Sequence, residues 1–375
     1  MIRLIHITPE LPPTVGGVAD YTSILSRRLV EISGGEVEPV LVHAGKESVD
    51  QIEVDFPAVD LSGVQSADAL ASTVQRLVAD ADERAGVLLE YSGYGYEKHG
   101  APLWLGRAVR RVCEKSGVPL LIMFHELYAT GPLWSRKFWV SLVQAYVIRL
   151  IVRQSVGVVT NRSDSARWLQ KQVESPVHYA PVFSNVGEPE SFLSFEERDG
   201  YAVVFGGTGK KALYENYGRA LARLLRRVGM EKIVDLGPPP DEKITESVGI
   251  PVDIRGFLSK ADVSAALRYA SMGLLCRNPR ALAKSGCLAA YMAHGVPSVV
   301  ATRHSTDPNP KLEEGVHYLS LQRALRTAEK REAQNWDLVG YQSHNWYMNN
   351  GHSKEVASIF ANLIYDNCNI IKNEN

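Results

Sequence analysis

The fold class is decided by one stretch of the chain, Arg280-Ala-Leu-Ala-Lys284-Ser285-Gly286-Cys-Leu-Ala-Ala290-Tyr-Met-Ala-His294-Gly295-Val-Pro297-Ser-Val-Val300. The apolar run Met272 to Cys276 precedes it, and a second apolar run, Pro297 to Val300, ends it; both are typical of buried strands. Between them, apolar residues recur at helical spacing, and Gly295 stands where a helix C-terminal cap is expected. The stretch therefore predicts a strand, a short helix and a second strand.

The start of this helix is compatible with two interpretations. A helix that begins at Ser285 and Gly286 exposes unpaired backbone N–H groups and the positive end of its dipole, which together attract anions. Lys284 adds a full positive charge beside them. One interpretation is a pocket for the diphosphate of a nucleotide ligand. The other is an ordinary strand–helix–strand unit in which Ser285 is only an N-cap.

Length and composition limit the class of protein. A chain of 375 residues suggests two domains, and 45% hydrophobic with 22% charged residues is typical of soluble globular proteins. The net charge of −1 provides no overall field for nucleic acid, so we expect no nucleic-acid partner. The four cysteines lack CxxC spacing, which indicates a reduced, cytoplasmic compartment and no zinc site. No run approaches ~18 apolar residues, so no membrane-spanning helix is predicted.

The first half of the chain alternates predicted strands and helices, which favours a parallel, Rossmann-like sheet. The first strand, Ile2 to Ile7, leads into a loop with two prolines and the pair Gly16-Gly17, and then into a helix. Such a loop lies at the carboxyl edge of a parallel sheet, where α/β folds bind ligands. Gly16 and Gly17 would allow the backbone to approach a ligand closely.

A second candidate follows the predicted strand Pro119 to Phe124. The pair His125-Glu126 stands where this apolar strand ends, a position suited to chemistry. The alternative is a histidine that only hydrogen-bonds a neighbouring loop.

The predicted helix from Trp134 to Arg153 mixes aromatic and basic residues. That composition is compatible with contact to an anionic membrane surface. We prefer a helix with one face in the core and the other in solvent, and we keep peripheral membrane contact at the inner face of a membrane as the alternative.

The composition turns polar between Gly187 and Gly200, and we place the interdomain linker at 188–200. The strand–helix pattern then restarts with Tyr201 to Phe205 and the loop Gly206-Gly207-Thr208-Gly209-Lys210-Lys211. This loop lacks the GxxxxGK[ST] spacing of a P-loop and the third glycine of a dinucleotide fingerprint. It remains a glycine loop, here with Gly207, in which Lys210 and Lys211 could meet phosphate.

These motifs, in this order, resemble those of the GT-B glycosyltransferases, and most closely the retaining, nucleotide-sugar-dependent family 4. The resemblance spans nearly the whole chain and rests on five segments: Pro12-Pro13-x-x-Gly16-Gly17-Val18, Phe124-His125-Glu126-Leu127, Pro181-Val-Phe-Ser184-Asn185, Gly256-Phe257-Leu258-Ser259 and Met292-Ala293-His294-Gly295-Val296-Pro297.

The resemblance implies an α/β fold of two Rossmann-like domains facing across a cleft. The N-terminal acceptor domain would span 1–187 and the donor domain 201–351, and a final helix at about 352–366 would return to the N-terminal domain.

It also implies roles for the candidate residues. His125, with Glu126 beside it, would lie near the reacting carbon of the donor sugar. The remaining residues would bind the donor: Gly16, Gly17, Gly207, Lys210, Lys211, Phe257, Lys284, Ser285 and Gly286. The enzyme would use a nucleotide sugar as substrate, without a cofactor or divalent metal, and would glycosylate a glycan, a lipid-linked saccharide or a small molecule.

The chain departs from the family at one pair of positions. The family commonly carries two glutamates eight residues apart, the second of which holds the nucleotide ribose; here the positions are Leu282 and Ala290. The alternative to an enzyme is therefore a GT-B paralogue that has lost catalysis and binds a nucleotide, a sugar or a partner. A GT-B sugar epimerase is a third hypothesis, but we identify no set of pocket carboxylates and arginines for it.

Overall fold

The computed structural model describes residues 1–14, 16–81, 84–129, 134–302, 311–329 and 334–368. Its contacts divide the chain into two units, one comprising Met1–Ala180 with Ser353–Asn375 and the other Pro181–His352. Both units alternate strands and helices, as the sequence predicts.

The first unit is built on a parallel sheet. Its described strands are β1 (Ile2–Thr8), β2 (Val37–His43), β3 (Ala58–Asp60), β4 (Arg84–Tyr91), β5 (Leu120–Phe124), β6 (Gly157–Thr160) and β7 (Val177–Tyr179). They lie in the order β3-β2-β1-β4-β5-β6-β7. The helices between them are α1 (Gly17–Ile32), α2 (Ala67–Ala79), α3 (Gly93–Tyr96), α4 (Leu103–Ser116), α5 (Arg136–Val152) and α6 (Ser163–Leu169).

The central strands of this sheet are covered on both faces. The run Leu120–Phe124 is buried throughout, as expected of a parallel strand with helices on either side. Because β1, β4 and β5 are neighbours, their carboxyl ends meet at the middle of one sheet edge. That edge is where a doubly wound sheet places its functional side chains.

The second unit repeats this plan with a parallel sheet in the order β10-β9-β8-β11-β12-β13. Its described strands are β8 (Ala202–Phe205), β9 (Ile233–Leu236), β10 (Val252–Gly256), β11 (Met272–Cys276), β12 (Ser298–Ala301) and β13 (Leu319–Ser320). The helices are α7 (Lys210–Arg227), α8 (Glu242–Glu246), α9 (Lys260–Tyr269), α10 (Gly286–Ala293), α11 (Leu321–Glu329) and α12 (Gln334–Asn350). The segment from Met272 to Ala301 forms β11, a 3₁₀ turn at Pro279–Lys284, α10 and β12.

The last helix, α13 (Ser353–Cys368), belongs to the first unit, and the predicted return of the C-terminal helix is thereby confirmed. It buries Val356, Phe360 and Ile364, which are spaced one turn apart. The Nε of Arg28 in α1 donates a hydrogen bond to Ser353 Oγ at 2.7 Å.

The segment predicted as the linker, 188–200, lies in the second unit, and the chain passes between the units at 180–181 and 352–353. Arg198 holds the segment there: its guanidinium donates to the carbonyl oxygens of Ala270 at 2.8 Å, His294 at 3.1 Å and Gly295 at 3.0 Å. Burial lowers the pKa of Arg198 to about 10. The polar composition of segment 188–200 therefore reflects hydrogen bonds to the second unit and not an interdomain linker.

Candidate functional site

The carboxyl edge of the first sheet brings together residues from three strands. Glu10 follows β1, Glu90 is the penultimate residue of β4, and His125 follows β5 directly. The backbone N–H of His125 donates to the carbonyl oxygen of Tyr91 at 3.0 Å, which continues the pairing of β4 with β5 by one residue. The imidazole is therefore held by a rigid backbone at the sheet edge.

Glu90 links two histidines within the core. Its Oε2 lies 2.6 Å from His125 Nε2 and its Oε1 lies 2.9 Å from His6 Nε2, while His6 Nδ1 lies 2.9 Å from Ser26 Oγ. Glu90 and His6 are fully buried, and His125 is 7% exposed. Burial alone would raise the pKa of Glu90. The hydrogen bonds that His125 and His6 donate, and the positive charge of these rings when they are protonated, outweigh burial, so the pKa of Glu90 is lowered. The site is thus a buried carboxylate between two imidazoles.

This arrangement fixes the tautomers of both rings. An ionised carboxylate only accepts hydrogen bonds, so Nε2 of each histidine donates to Glu90. In the neutral His125 ring, Nδ1 is then the acceptor nitrogen. The Tyr21 ring meets the His125 ring edge-on, with centroids 4.9 Å apart, and restricts its rotation. Glu90 and Tyr21 therefore orient the His125 ring.

The Gly16-Gly17 pair has two distinct roles. A Cβ at Gly16 would lie 2.3 Å from Glu10 Oε2, whereas a Cβ at Gly17 would meet no described atom within 4 Å. The Glu10 carboxylate therefore lies beside Gly16, the N-cap residue of α1. Burial raises the pKa of Glu10, and the nearby charge of His125 opposes that rise. The space in front of Gly16 thus holds the chain's own carboxylate, and a donor contact at Gly16 stays a prediction.

In the second unit, the glycine loop after β8 is closely packed. A Cβ at Gly209 would lie 2.4 Å from the carbonyl oxygen of Cys276, and Gly209 has a φ of +82°. A Cβ at Gly207 would lie 3.2 Å from Pro238. These glycines allow α7 to begin directly against the end of β11, and packing accounts for Gly209 without a ligand.

The two lysines of this loop differ in their surroundings. Lys210 is buried: its Nζ lies 2.6 Å from Asp235 Oδ1 and donates to the carbonyl oxygen of Pro238 at 2.8 Å. Lys211 is 75% exposed and pairs only loosely with Glu215, at 3.7 Å. The Lys210 ammonium is thus committed to the core, and Lys211 is the lysine of this loop that can reach a phosphate.

At the start of α10, the backbone N–H groups lie beside open space. Ser285 is buried, and its Oγ accepts from the N–H of Leu288 at 3.3 Å, while a Cβ at Gly286 would meet no described atom within 4 Å. Lys284, in the 3₁₀ turn, is half-buried. Phe257, expected beside the nucleotide base, follows β10 and is 66% exposed.

A cation that the sequence analysis missed lies close to this helix start. Arg277 directly follows β11, and its backbone N–H donates to the carbonyl oxygen of Ala301 at 3.2 Å. Burial raises the pKa of the Cys287 thiol, the second residue of α10, and the positive charges of Arg277 and Lys210 oppose that rise. The signal available in the sequence was an arginine immediately after an apolar strand.

Glu90 and His6 were also missed, whereas Glu126 lies apart from the histidine network. The Glu126 side chain is exposed, and its charge acts on Arg162, which itself pairs with Asp164. The carboxylate that contacts His125 is Glu90 instead. The signal for Glu90 and His6 was a charged or titratable residue inside a strand that is otherwise apolar, since such groups are buried only with partners.

Two properties of the described residues bear on the sequence-based expectations. No described helix combines the length and the apolar content needed to cross a membrane. Within the described ranges, no three or more histidine, cysteine or acidic side chains converge to hold a metal ion. Metal independence of the reaction stays a prediction.

Comparison with known proteins identifies the fold. No protein-family model and no curated protein match the sequence. Solved structures do match, among them an alpha-glucosyltransferase in complex with UDP-glucose and DNA containing an abasic site (12% identity, TM-score 0.61, 97% of this chain and 99% of that chain). Two others are the lipopolysaccharide outer core galactosyltransferase WaaB (14%, TM-score 0.57, 97% and 99%) and the trehalose 6-phosphate synthase of Burkholderia multivorans (12%, TM-score 0.59, 98% and 99%).

The comparison also corrects one expectation. We excluded a nucleic-acid partner because the net charge is −1, and that exclusion is wrong: several matched structures hold an alpha-glucosyltransferase together with DNA. Net charge averages over the whole surface, so it does not report local basic regions. At these levels of identity the likeness establishes the fold, and the chain has the two-unit, Rossmann-like GT-B fold of these glycosyltransferases.

Proposed function

We propose that this protein is a glycosyltransferase that takes a sugar from a nucleoside-diphosphate donor and transfers it with retention of configuration and without a divalent metal. The observation that carries the proposal is the buried His6–Glu90–His125 network at the carboxyl edge of a GT-B sheet. A structural histidine needs one hydrogen-bond partner. Here the partner is a buried carboxylate, Glu90, which fixes the tautomer of His125, and the buried Tyr21 ring also holds its orientation.

The second unit supplies groups suited to the leaving diphosphate. Lys211 and Arg277 are cations at the carboxyl edge of its sheet, and the backbone N–H groups at Ser285 and Gly286 add the positive end of a helix. When the bond to the sugar loosens, negative charge grows on the diphosphate, and fixed donors of this kind stabilise it. UDP is the nucleotide to test first, because UDP is bound in matched structures.

His125 would act on the transferred sugar. Positive charge develops at the reacting carbon as the leaving group departs, so a cationic imidazolium facing that carbon would oppose the reaction. A neutral ring, held with Nε2–H on Glu90, presents an uncharged acceptor instead. Glu90 would therefore be a positioning residue: by binding Nε2–H of His125, it leaves the acceptor nitrogen Nδ1 facing away from the Glu90 carboxylate.

The test measures UDP binding by calorimetry and donor turnover by release of UDP from UDP-sugars. The acceptor panel includes glycans, lipid-linked saccharides and DNA. We expect the wild-type protein to bind UDP and to consume at least one UDP-sugar. Failure to bind any nucleoside diphosphate would overturn the proposal.

A catalytically inactive GT-B paralogue is the second candidate, and one observation favours it. Leu282 and Ala290, which stand where the family carries its glutamates, are 1% and 0% exposed. No carboxylate is present at either position to hold a ribose. Tight UDP binding without consumption of any donor, across the whole acceptor panel, would support this candidate over the enzyme.

A further inference from the structure

The outer face of α5 carries an exposed apolar stripe, which we define as Trp139, Leu142, Val143 and Tyr146. Their exposed fractions are 63%, 50%, 42% and 54%. The spacing of three, four and seven residues from Trp139 puts all four on one face of the helix. The preferred arrangement, with one face in the core and the other in solvent, is present, and the solvent face carries large apolar and aromatic side chains.

The opposite face of α5 is already packed. Val147, Ile148 and Ile151 are fully buried in the core of the first unit. Gln144 is also buried, where it donates to the carbonyl oxygen of His99 at 2.8 Å and accepts from the N–H of Ala129 at 2.7 Å. A polar residue thus lies inside while four large apolar residues lie outside. Folding of the unit does not explain the stripe, because its core face is complete without it.

A basic groove adjoins the stripe. It lies between α4 and α5, has a volume of about 580 Å³, and is lined by four arginines: Arg107, Arg110, Arg111 and Arg153. Tyr146 belongs to both the stripe and the groove wall, so the two surfaces are continuous. Two carboxylates face these arginines, Glu114 at 3.5 Å from Arg110 and Asp68 in contact with Arg111. The groove therefore retains an excess of positive charge.

We propose that the stripe and the groove together dock on an anionic lipid surface. Apolar and aromatic side chains of a surface helix enter the boundary between headgroups and acyl chains, and tryptophan and tyrosine are enriched at that depth. Arginines beside them bind lipid phosphates and gain from the negative surface potential. The combination of an apolar helix face with flanking cations is the pattern of a peripheral membrane contact.

The other occupants fit this surface less well. A double-stranded nucleic acid would use the arginines, but its phosphate backbone offers nothing to the apolar side chains of the stripe. A second copy of the chain, paired through the same face by two-fold symmetry, would set like-charged grooves beside each other. Only a surface with both anionic groups and hydrocarbon uses the arginines and the stripe together.

The test is flotation of the full-length protein with lipid vesicles, and it does not depend on the proposed reaction. We expect binding to phosphatidylcholine vesicles that contain phosphatidylglycerol, little binding to phosphatidylcholine alone, and weaker binding at high salt. The variant Trp139→Ser with Leu142→Ser should lose tenfold or more in binding. The variant Arg107→Ala with Arg110→Ala should lose about fivefold per arginine.

Matched controls lie on the second unit. Leu338→Ser with Tyr341→Ser removes two exposed apolar residues of the same spacing from α12, and Arg219→Ala with Arg223→Ala removes two exposed arginines from α7. Both controls should float as the wild type does. The proposal is overturned if the wild type fails to bind anionic vesicles, or if the controls lose as much binding as the stripe and groove variants. It is equally overturned if these variants abolish DNA binding or self-association while vesicle binding is unchanged.

Discussion

Glu90 Oε2 and His125 Nε2 are 2.6 Å apart, and both side chains are buried at the centre of the first sheet. They are adjacent because β4 and β5 pair in parallel with Tyr91 opposite Phe124, which sets the end of one strand beside the end of the other. His6, on the other side in β1, takes the second oxygen of Glu90. One carboxylate thus joins the three central strands.

Replacing Glu90 by Gln tests what this carboxylate contributes to stability. Hydrogen bonds to a charged group contribute about 1.5–3 kcal/mol each, so Glu90→Gln should lower the free energy of unfolding at neutral pH by roughly that amount. Because the folded pKa of Glu90 lies below the ordinary value of 4.5, its stabilisation is present above that value and is lost as the pH falls through the folded pKa. Urea unfolding of both proteins should therefore show the difference shrinking below pH 4.5.

Glu38→Gln is the matched control for this measurement. Glu38 lies on β2 of the same sheet with an exposed side chain. Its substitution should leave the free energy of unfolding within ~0.5 kcal/mol of the wild type at every pH. A Glu90→Gln protein as stable as this control would show that the network adds nothing to folding.

Replacing His125 tests the proposed reaction. If His125 acts on the transferred sugar, His125→Asn should reduce turnover by ~100-fold while the affinity for UDP stays within a few-fold. His99→Ala, at an exposed histidine of the same unit, should keep both values. Steady-state UDP release and calorimetry measure the two quantities separately. Equal losses in turnover and in UDP affinity would instead indicate a general disturbance of the site.

The adjacent lysines of α7 should behave in opposite ways. Lys210→Ala leaves the buried Asp235 carboxylate without its cation and should destabilise the fold by about 3–5 kcal/mol. Lys210→Met with Asp235→Leu removes both charges and should recover much of that loss. Thermal and urea unfolding measure both. If Lys210→Ala were as stable as the wild type, the Lys210–Asp235 ion pair would not be needed for folding, which would contradict this prediction.

Lys211→Ala should leave stability unchanged and weaken UDP binding tenfold to a hundredfold, as expected for a lost contact of about 1.5–3 kcal/mol to phosphate. Lys243→Ala, at an exposed lysine of α8, is the control and should bind UDP as the wild type does. If Lys211→Ala binds UDP with unchanged affinity, the loop that carries Lys211 is not part of the proposed donor site.

The two glycines before α1 should also differ. Gly16 has an extended backbone that any residue adopts, so Gly16→Ala acts only through the contact with Glu10, whose half-buried carboxylate must move. Displacing that carboxylate should cost about 1 kcal/mol. Gly17→Ala should be neutral or slightly stabilising, because the added methyl meets open space and restricts the unfolded chain.

A double substitution separates contact from backbone effects at Gly16. In a Glu10→Ala background, nothing remains for the new methyl to displace, so Gly16→Ala should no longer destabilise. Urea unfolding of the four proteins in this cycle gives the coupling between the two positions. A coupling of zero would mean that Glu10 does not occupy the space in front of Gly16.

The sequence alone determined the two-unit α/β architecture. Apolar runs of strand length separated by helical patterns specify a parallel sheet, because each strand must be buried on both faces. The same local patterns located α10, the glycine loops and the position of His125 at the end of β5. They also identified α5 as a helix with one face in the core and the other in solvent.

The tertiary structure alone decided which side chains are partners. Glu126 is next to His125 in the sequence, but successive side chains of an extended chain point in opposite directions, and Glu126 is exposed. Glu90, 35 residues earlier, reaches His125 through strand pairing. Likewise Lys210 and Lys211 look alike in sequence, and only the folded structure brings the Lys210 ammonium to the buried Asp235 of β9 while Lys211 stays exposed. Periodicity fixes the local elements, whereas strand order and burial decide which residues meet.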